Sequence, residues 1–156
     1  MKIHVMIDLS NLYYCVRKRH GGHRIDFESY LAYAKSLGDV TRATMYSTQN
    51  DGRATLFIEA MQALGFQFKF KEPKTYFAKG KVKMKANWDV GMTIDAMSAM
   101  ADYDMLILGS ADGDFRLLVE YLQLHGKRVF ALGCEISRDL RDTAYKAVEI
   151  PESFLL

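Results

Sequence analysis

Short apolar runs alternate with segments whose apolar residues recur every three or four positions, over almost the whole chain. The opening run over residues 2–7 is nearly continuous in apolar side chains, which predicts a strand buried on both faces. Residues 11–18 read as a helix, broken by His20-Gly21-Gly22-His23. Asp26 is a good N-cap for a second helix, with Phe27, Tyr30, Leu31, Ala34 and Leu37 at helical spacing and Gly38 ending it. Residues 40–47 are β-branched and alternating, so they predict a second strand, and residues 52–64 a third helix with Gly65 past its end. Phe66-Gln67-Phe68-Lys69-Phe70 alternates as a half-exposed strand does. Around Lys79-Gly80 the alternation of Lys81, Lys83 and Lys85 with Val82 and Met84 predicts a hairpin with one lysine face. Helix, strand, helix and strand follow at 88–101, 105–110, 114–125 and 128–132, then a short helix at 137–145 and an edge strand at 147–150, stopped by Pro151. Strands alternating with helices make the class α/β, with a mainly parallel sheet and a lysine-rich β-hairpin insertion.

A length of 156 residues predicts one domain over residues 1–156, without internal repeat or linker. Apolar content of 49% and charged content of 26% are those of an ordinary globular protein, and no apolar stretch approaches the ~18 residues of a membrane span. Cys15 and Cys134 stand isolated in the sequence, away from any Cys/His ligand spacing, which argues against zinc and for a reduced, cytoplasmic chain. The net charge of +2 says little, but its distribution says more. Seven lysines and one glutamate fall between Lys69 and Lys85. Such a strip suits a polyanion, although lysines on a solvated hairpin edge also block sheet-to-sheet aggregation.

The candidate chemistry lies in four aspartates at predicted strand-to-helix junctions. Asp8 closes the first strand, Asp112 and Asp114 follow the apolar run 105–110, and Asp89 opens a helical segment. In an open parallel sheet the C-terminal strand ends share one rim, where ligands bind. Carboxylates gathered there repel unless a hard cation neutralises them, and oxygen-only clusters suit Mg²⁺ or Mn²⁺. The plainer alternative is that each aspartate only caps a helix. Gly113 would let the backbone turn tightly between two carboxylates. Asp95 lies ~9 Å along the helix from Asp89 and ~120° round it, so the two do not share an ion. Tyr13 and Tyr14, just after Asn11, offer rings for base stacking or for the core. His4 reads as a core residue, and His20 and His23 as loop histidines.

Three motifs in order, Asp8-Leu-Ser-Asn11, Asn87-Trp-Asp89-Val-Gly-Met-Thr-Ile-Asp95 and Ser110-Ala-Asp112-Gly-Asp114-Phe115, resemble those of the NYN domain, LabA-like branch, in the PIN-like nuclease superfamily. The likeness spans nearly the whole chain. It implies a three-layer PIN-like, Rossmann-like fold and metal-dependent cleavage of RNA. Carried over by position, Asp8, Asp89, Asp112 and Asp114 would be catalytic metal ligands, and Asn11 and Ser110 would orient ligands or a phosphate. Ala111 and Gly113 replace the family's Gly and Ser, and Asn87-Trp88 stands where a Val usually precedes the Asp. Lys85 lies further from Asp89 than the family's lysine, so that role is not transferred.

The expectation is a ribonuclease that hydrolyses phosphodiesters with metal-activated water, leaving a 5′-phosphate and a 3′-hydroxyl. Lys79, Lys81, Lys83 and Lys85 would guide the RNA backbone with little sequence selectivity. The alternative is a catalytically weak nucleic-acid or protein binding module that retains the metal site. Endo- or exonucleolytic action, one or two metal ions, and a homodimer are left open. A phosphatase of the haloacid dehalogenase type would want an acid where Ser10 stands, and a receiver domain one at Phe70-Lys71.

Overall fold

The computed structural model describes residues 1–48, 54–71, 74–85 and 87–156, with 74–78 and 81–85 as backbone only. Six parallel strands form the central sheet: β1 (Lys2–Asp8), β2 (Asp39–Thr48), β3 (Gln67–Lys71), β6 (Met105–Gly109), β7 (Arg128–Gly133) and β8 (Lys146–Glu149). Between β3 and β6 a separate antiparallel hairpin joins β4 (Lys74–Ala78) to β5 (Lys81–Lys85). Its Lys79-Gly80 connection has φ of 53° and 72°, the primed geometry that matches the twist of paired strands. The expected hairpin is therefore present. Whether Lys81, Lys83 and Lys85 form a face concerns side chains outside the described ones, and Gly52, the expected start of the third helix, lies outside the described residues.

Period-two alternation divides the strands between two cores. Ile3, Val5 and Ile7 of β1, with Met105 and Ile107 of β6, face α1 (Leu9–Arg19), α2 (Phe27–Leu37) and α3 (Thr55–Leu64). Met6, Leu106, Leu108, Val129 and Ala131 face α4 (Asp89–Ser98), α5 (Arg116–Leu124) and α6 (Arg138–Thr143). The result is the expected three-layer α/β fold. His4 sits in the second layer, 5% exposed and 4.9 Å from the Tyr103 ring; burial first, then Arg42, lowers its pKa and keeps it neutral.

The strand order β3-β2-β1-β6-β7-β8 places the reversal of winding between β1 and β6. Successive strands spread outward from that pair in both directions, so the helices leaving β1 and β6 diverge onto opposite faces. A crevice opens between them at the C-terminal rim. In register, Ile7 pairs with Gly109, which brings Asp8 beside the segment that follows β6.

The two cysteines correct the expectation of isolation. Cys15 on α1 and Cys134 just after β7 are brought together by the sheet, Sγ to Sγ 2.7 Å. A separation of 119 residues hid a direct contact.

Candidate metal centre

Each acid of the rim is held by local hydrogen bonding. Asp8, last residue of β1, is also the N-cap of α1 and accepts the Asn11 N–H at 3.3 Å. Asn11 Oδ1 accepts the Ala111 N–H at 3.1 Å, which ties the β1–α1 corner to the loop after β6. In that loop Ser110 is fully buried, and its hydroxyl accepts the Asp112 N–H at 3.3 Å. Asp112 Oδ1 accepts the Asp114 N–H at 2.9 Å and so caps the 3₁₀ turn Gly113–Phe115. Asn11 and Ser110 thus hold the backbone that carries the acids. Capping engages one oxygen each of Asp8 and Asp112, so the capping and metal readings coexist.

Gly113 permits a close approach and makes no unusual turn. It has no positive φ, but a Cβ there would lie 3.0 Å from Ser137 Oγ and 3.4 Å from Asp139 Oδ2. The N-cap of α6 therefore presses directly on the acidic loop.

Asp89, on the far wall, opens α4. Its N–H donates to Asn87 Oδ1 at 2.6 Å, and Asn87 Nδ2 donates back to Asp89 Oδ2 at 3.3 Å. The Trp88 indole N–H donates to the Ser47 carbonyl at 2.8 Å, anchoring the start of α4 to the end of β2. The ring lies over Gly91, where a Cβ would meet Trp88 Cε3 at 2.6 Å. Lys71 closes this corner, donating to the Asn87 carbonyl at 2.8 Å. Sequence reasoning treated Asn87-Trp88 as a departure from a motif and missed both as supports for Asp89. An Asn two positions before a helix start was the available signal, because its short amide reaches backbone N–H groups there.

These elements bring one carboxylate oxygen each of Asp89, Asp112 and Asp114 within 4.8 Å of one another. Asp89 and Asp112 are half-buried and Asp114 is exposed. Asp8 stands outside that trio but within its field. Burial, opposed by the Asn11 N–H and assisted by the charge of Asp112, raises the Asp8 carboxyl above its usual range. Burial first, then the charge of Asp112, pushes Asp89 up to about 6, with Asp8 adding to the effect and Asn87 opposing it. Crowded acids whose protonation relieves their repulsion are a donor set that a hard divalent cation would satisfy. The residues fit such an ion, with Asp89, Asp112 and Asp114 able to hold it and Asp8 beside them.

Asp95 is placed elsewhere. Its Oδ2 accepts from the Tyr46 hydroxyl at 2.8 Å and from Lys69 Nζ at 2.7 Å. It is a pairing group between α4, β2 and β3. Of the lysines proposed to guide RNA, Lys79 is exposed at the hairpin tip. His20 lies at the C-cap of α1, the end away from Asp8, and His23 Nδ1 is 3.0 Å from the Leu156 carbonyl.

The chain is similar to known proteins over almost its whole length. The family model described as NYN domain matches residues 2–151. Low amplitude and bright protein LabA of Synechococcus elongatus is 23% identical over 159 aligned residues, covering 96% of this chain and 83% of LabA. The crystal structure of a Vibrio parahaemolyticus protein of unknown function is 33% identical, with a TM-score of 0.86 over 99% of this chain and 96% of that one.

Proposed function

The chain belongs to the NYN domain family, of the PIN-like nuclease superfamily, and from that premise we propose that it is a metal-dependent ribonuclease. The observation that carries the reading is the convergence of Asp89, Asp112 and Asp114, beside Asp8, on the crevice where the sheet reverses its winding. Capping alone accounts for Asp112 and Asp114 in one turn, but not for Asp89, which meets them from the start of another helix. Mg²⁺ or Mn²⁺ held there would supply Lewis acidity, activating water and stabilising charge on the phosphate.

The protein's own part is positioning. Asn11 and Ser110 hold the loop that presents Asp112 and Asp114, and Asn87 and Trp88 fix the start of α4 that presents Asp89. Half-burial of Asp89 and Asp112 lowers the local dielectric, so charge developing on a phosphate is felt more strongly there than in water. The substrate class is RNA, with lysines near Lys79 guiding its backbone. No helix among the described residues is long and apolar enough to cross a membrane.

The test is cleavage of single-stranded RNA by purified protein with Mn²⁺, Mg²⁺ or chelator. Cleavage with 5′-phosphate products, abolished by chelator, is expected. Asp112→Asn, which keeps the capping acceptor, should lower the rate by at least ~10²-fold while the fold survives. Equal rates for the variant and wild type, or cleavage indifferent to chelator, would overturn the reading.

A further inference from the structure

A cleft of about 650 Å³ opens at the same rim, on the α1 side of the acidic crevice. Leu9 and Ser10, the two residues directly after Asp8, form its near wall, and Ser47 and Thr48 at the end of β2 its floor. Phe57, Met61 and Leu64 of α3 make an apolar far wall. Tyr13 and Tyr14 line it one turn down α1. Tyr13 already has partners: the Arg17 guanidinium 5.7 Å over its ring and the Tyr14 ring edge-on at 5.6 Å. Tyr14 is 68% exposed, an unusual state for a ring at the mouth of an apolar cleft.

We propose that this cleft is a nucleobase slot, in which an unpaired base beside the scissile phosphate stacks on Tyr14 while its edge meets Ser47. The proposal takes its ligand class from the ribonuclease reading above. Three features select a base over a phosphate. A volume of about 650 Å³ holds a nucleoside-sized group, whereas a lone phosphate would leave most of it unfilled. The apolar α3 wall and the Tyr14 face match a planar ring, for which stacking is worth ~1–3 kcal/mol. Asp26 and Glu28 outnumber Arg24 in the lining, so the net charge of the cleft disfavours phosphate. The backbone is thereby left at the acidic crevice, where a cation would draw it, and the base turns inward. Asp26 is occupied in capping α2, accepting the Glu28 N–H at 3.0 Å and the Ser29 hydroxyl at 2.7 Å, so Ser47, on the same face of β2 as the core residue Met45, is left to read the edge.

The experiment measures binding of a labelled single-stranded oligoribonucleotide in Ca²⁺, beside an abasic oligomer with the same ribose-phosphate backbone. Two variants are compared with wild type: Tyr14→Ala, and Ala60→Trp, which fills the cleft from an exposed position. Each should weaken binding of the natural oligomer by ~5- to 150-fold, the equivalent of ~1–3 kcal/mol, and leave the abasic oligomer unchanged. Mn²⁺ binding, followed by calorimetry, should stay at the wild-type value in both. Equal losses for the two oligomers, or no loss in either variant, would overturn the slot, as would a wild-type protein that binds the two oligomers alike. Cleavage is scored separately. A chain that shows the base-dependent loss but never cuts RNA retains the slot and loses the ribonuclease reading. One that cuts RNA without that loss does the reverse.

Discussion

Asp89 is the residue whose environment says most about the site. Its carboxyl is pushed from an ordinary 3.8 to about 6 by burial and then by Asp112. A carboxyl raised in this way stabilises the fold most at low pH, where it stays protonated, and that contribution is lost as pH rises through the folded value. Metal-free protein is therefore expected to melt at a lower temperature at about pH 7.5 than at about pH 5, and Asp89→Asn should flatten the difference. Protons and cation compete for the same oxygens, so Mn²⁺ affinity should fall steeply below about pH 6, which titration calorimetry at a series of pH values would read. Asp95, six residues on, has a structural task instead. Asp95→Ala leaves the buried Tyr46 hydroxyl without its acceptor and should cost about 1–3 kcal/mol in denaturant unfolding, with Mn²⁺ binding intact. Loss of Mn²⁺ binding in that variant would move Asp95 into the metal centre.

Helix starts and strand ends are the working parts of this fold. β1 delivers Asp8 directly into the N-cap of α1, and β6 delivers Ser110 to Asp114 into the turn that begins α5, so each acid inherits the rigidity of an element boundary. The same packing carries α1 across to the end of β7, where Cys15 meets Cys134. Burial raises both thiols, Cys134 to about 12, so both stay protonated and react slowly near neutral pH. A disulfide oxidant such as diamide is expected to join them, the thiols losing two protons and two electrons to the oxidant, with a rate that climbs as the pH rises. Thiol counting before and after treatment checks this: both should disappear together in wild type, and Cys15→Ser should keep Cys134 reduced. A Cys134 that is titrated with Cys15 still free would show that the contact does not govern the reaction.

For the molecule as a whole, the separation of charge is the property that an assay can reach. Carboxylates crowd the crevice, while lysines concentrate in the 69–85 stretch that carries the hairpin. Each phosphate contact by a lysine releases counterions, so log affinity for single-stranded RNA should fall with log salt by ~0.7 per contact. Replacing Lys81 and Lys83 by Ala should flatten that slope by ~1.4 and weaken unrelated sequences alike. An unchanged slope would make the strip a solvated edge.

The periodicity of apolar residues was enough to determine the element order and the α/β class, because burial on one or two faces is written directly into every second or fourth position, while the three layers were implied by the likeness to NYN motifs. The identity of the rim acids was also legible, through aspartates at strand ends and their likeness to NYN motifs. Helix caps were legible only in part. Asp26 and Ser137 announced themselves as helix starts, whereas Asn87 did not, because it stands one residue before the N-cap position and reaches the Asp89 N–H across Trp88. Tertiary structure alone decided which strand ends are neighbours. Nothing local in Asp8 or Asp112 states that β1 and β6 pair, since strand order follows from how two sets of helices cover a twisted sheet. That pairing creates the crevice, sets Asn11 against Ala111, turns Asp95 away to Tyr46 and Lys69, and puts Cys15 against Cys134. Contacts between residues distant in sequence are settled by packing the whole chain at once, and a linear pattern does not encode them one by one.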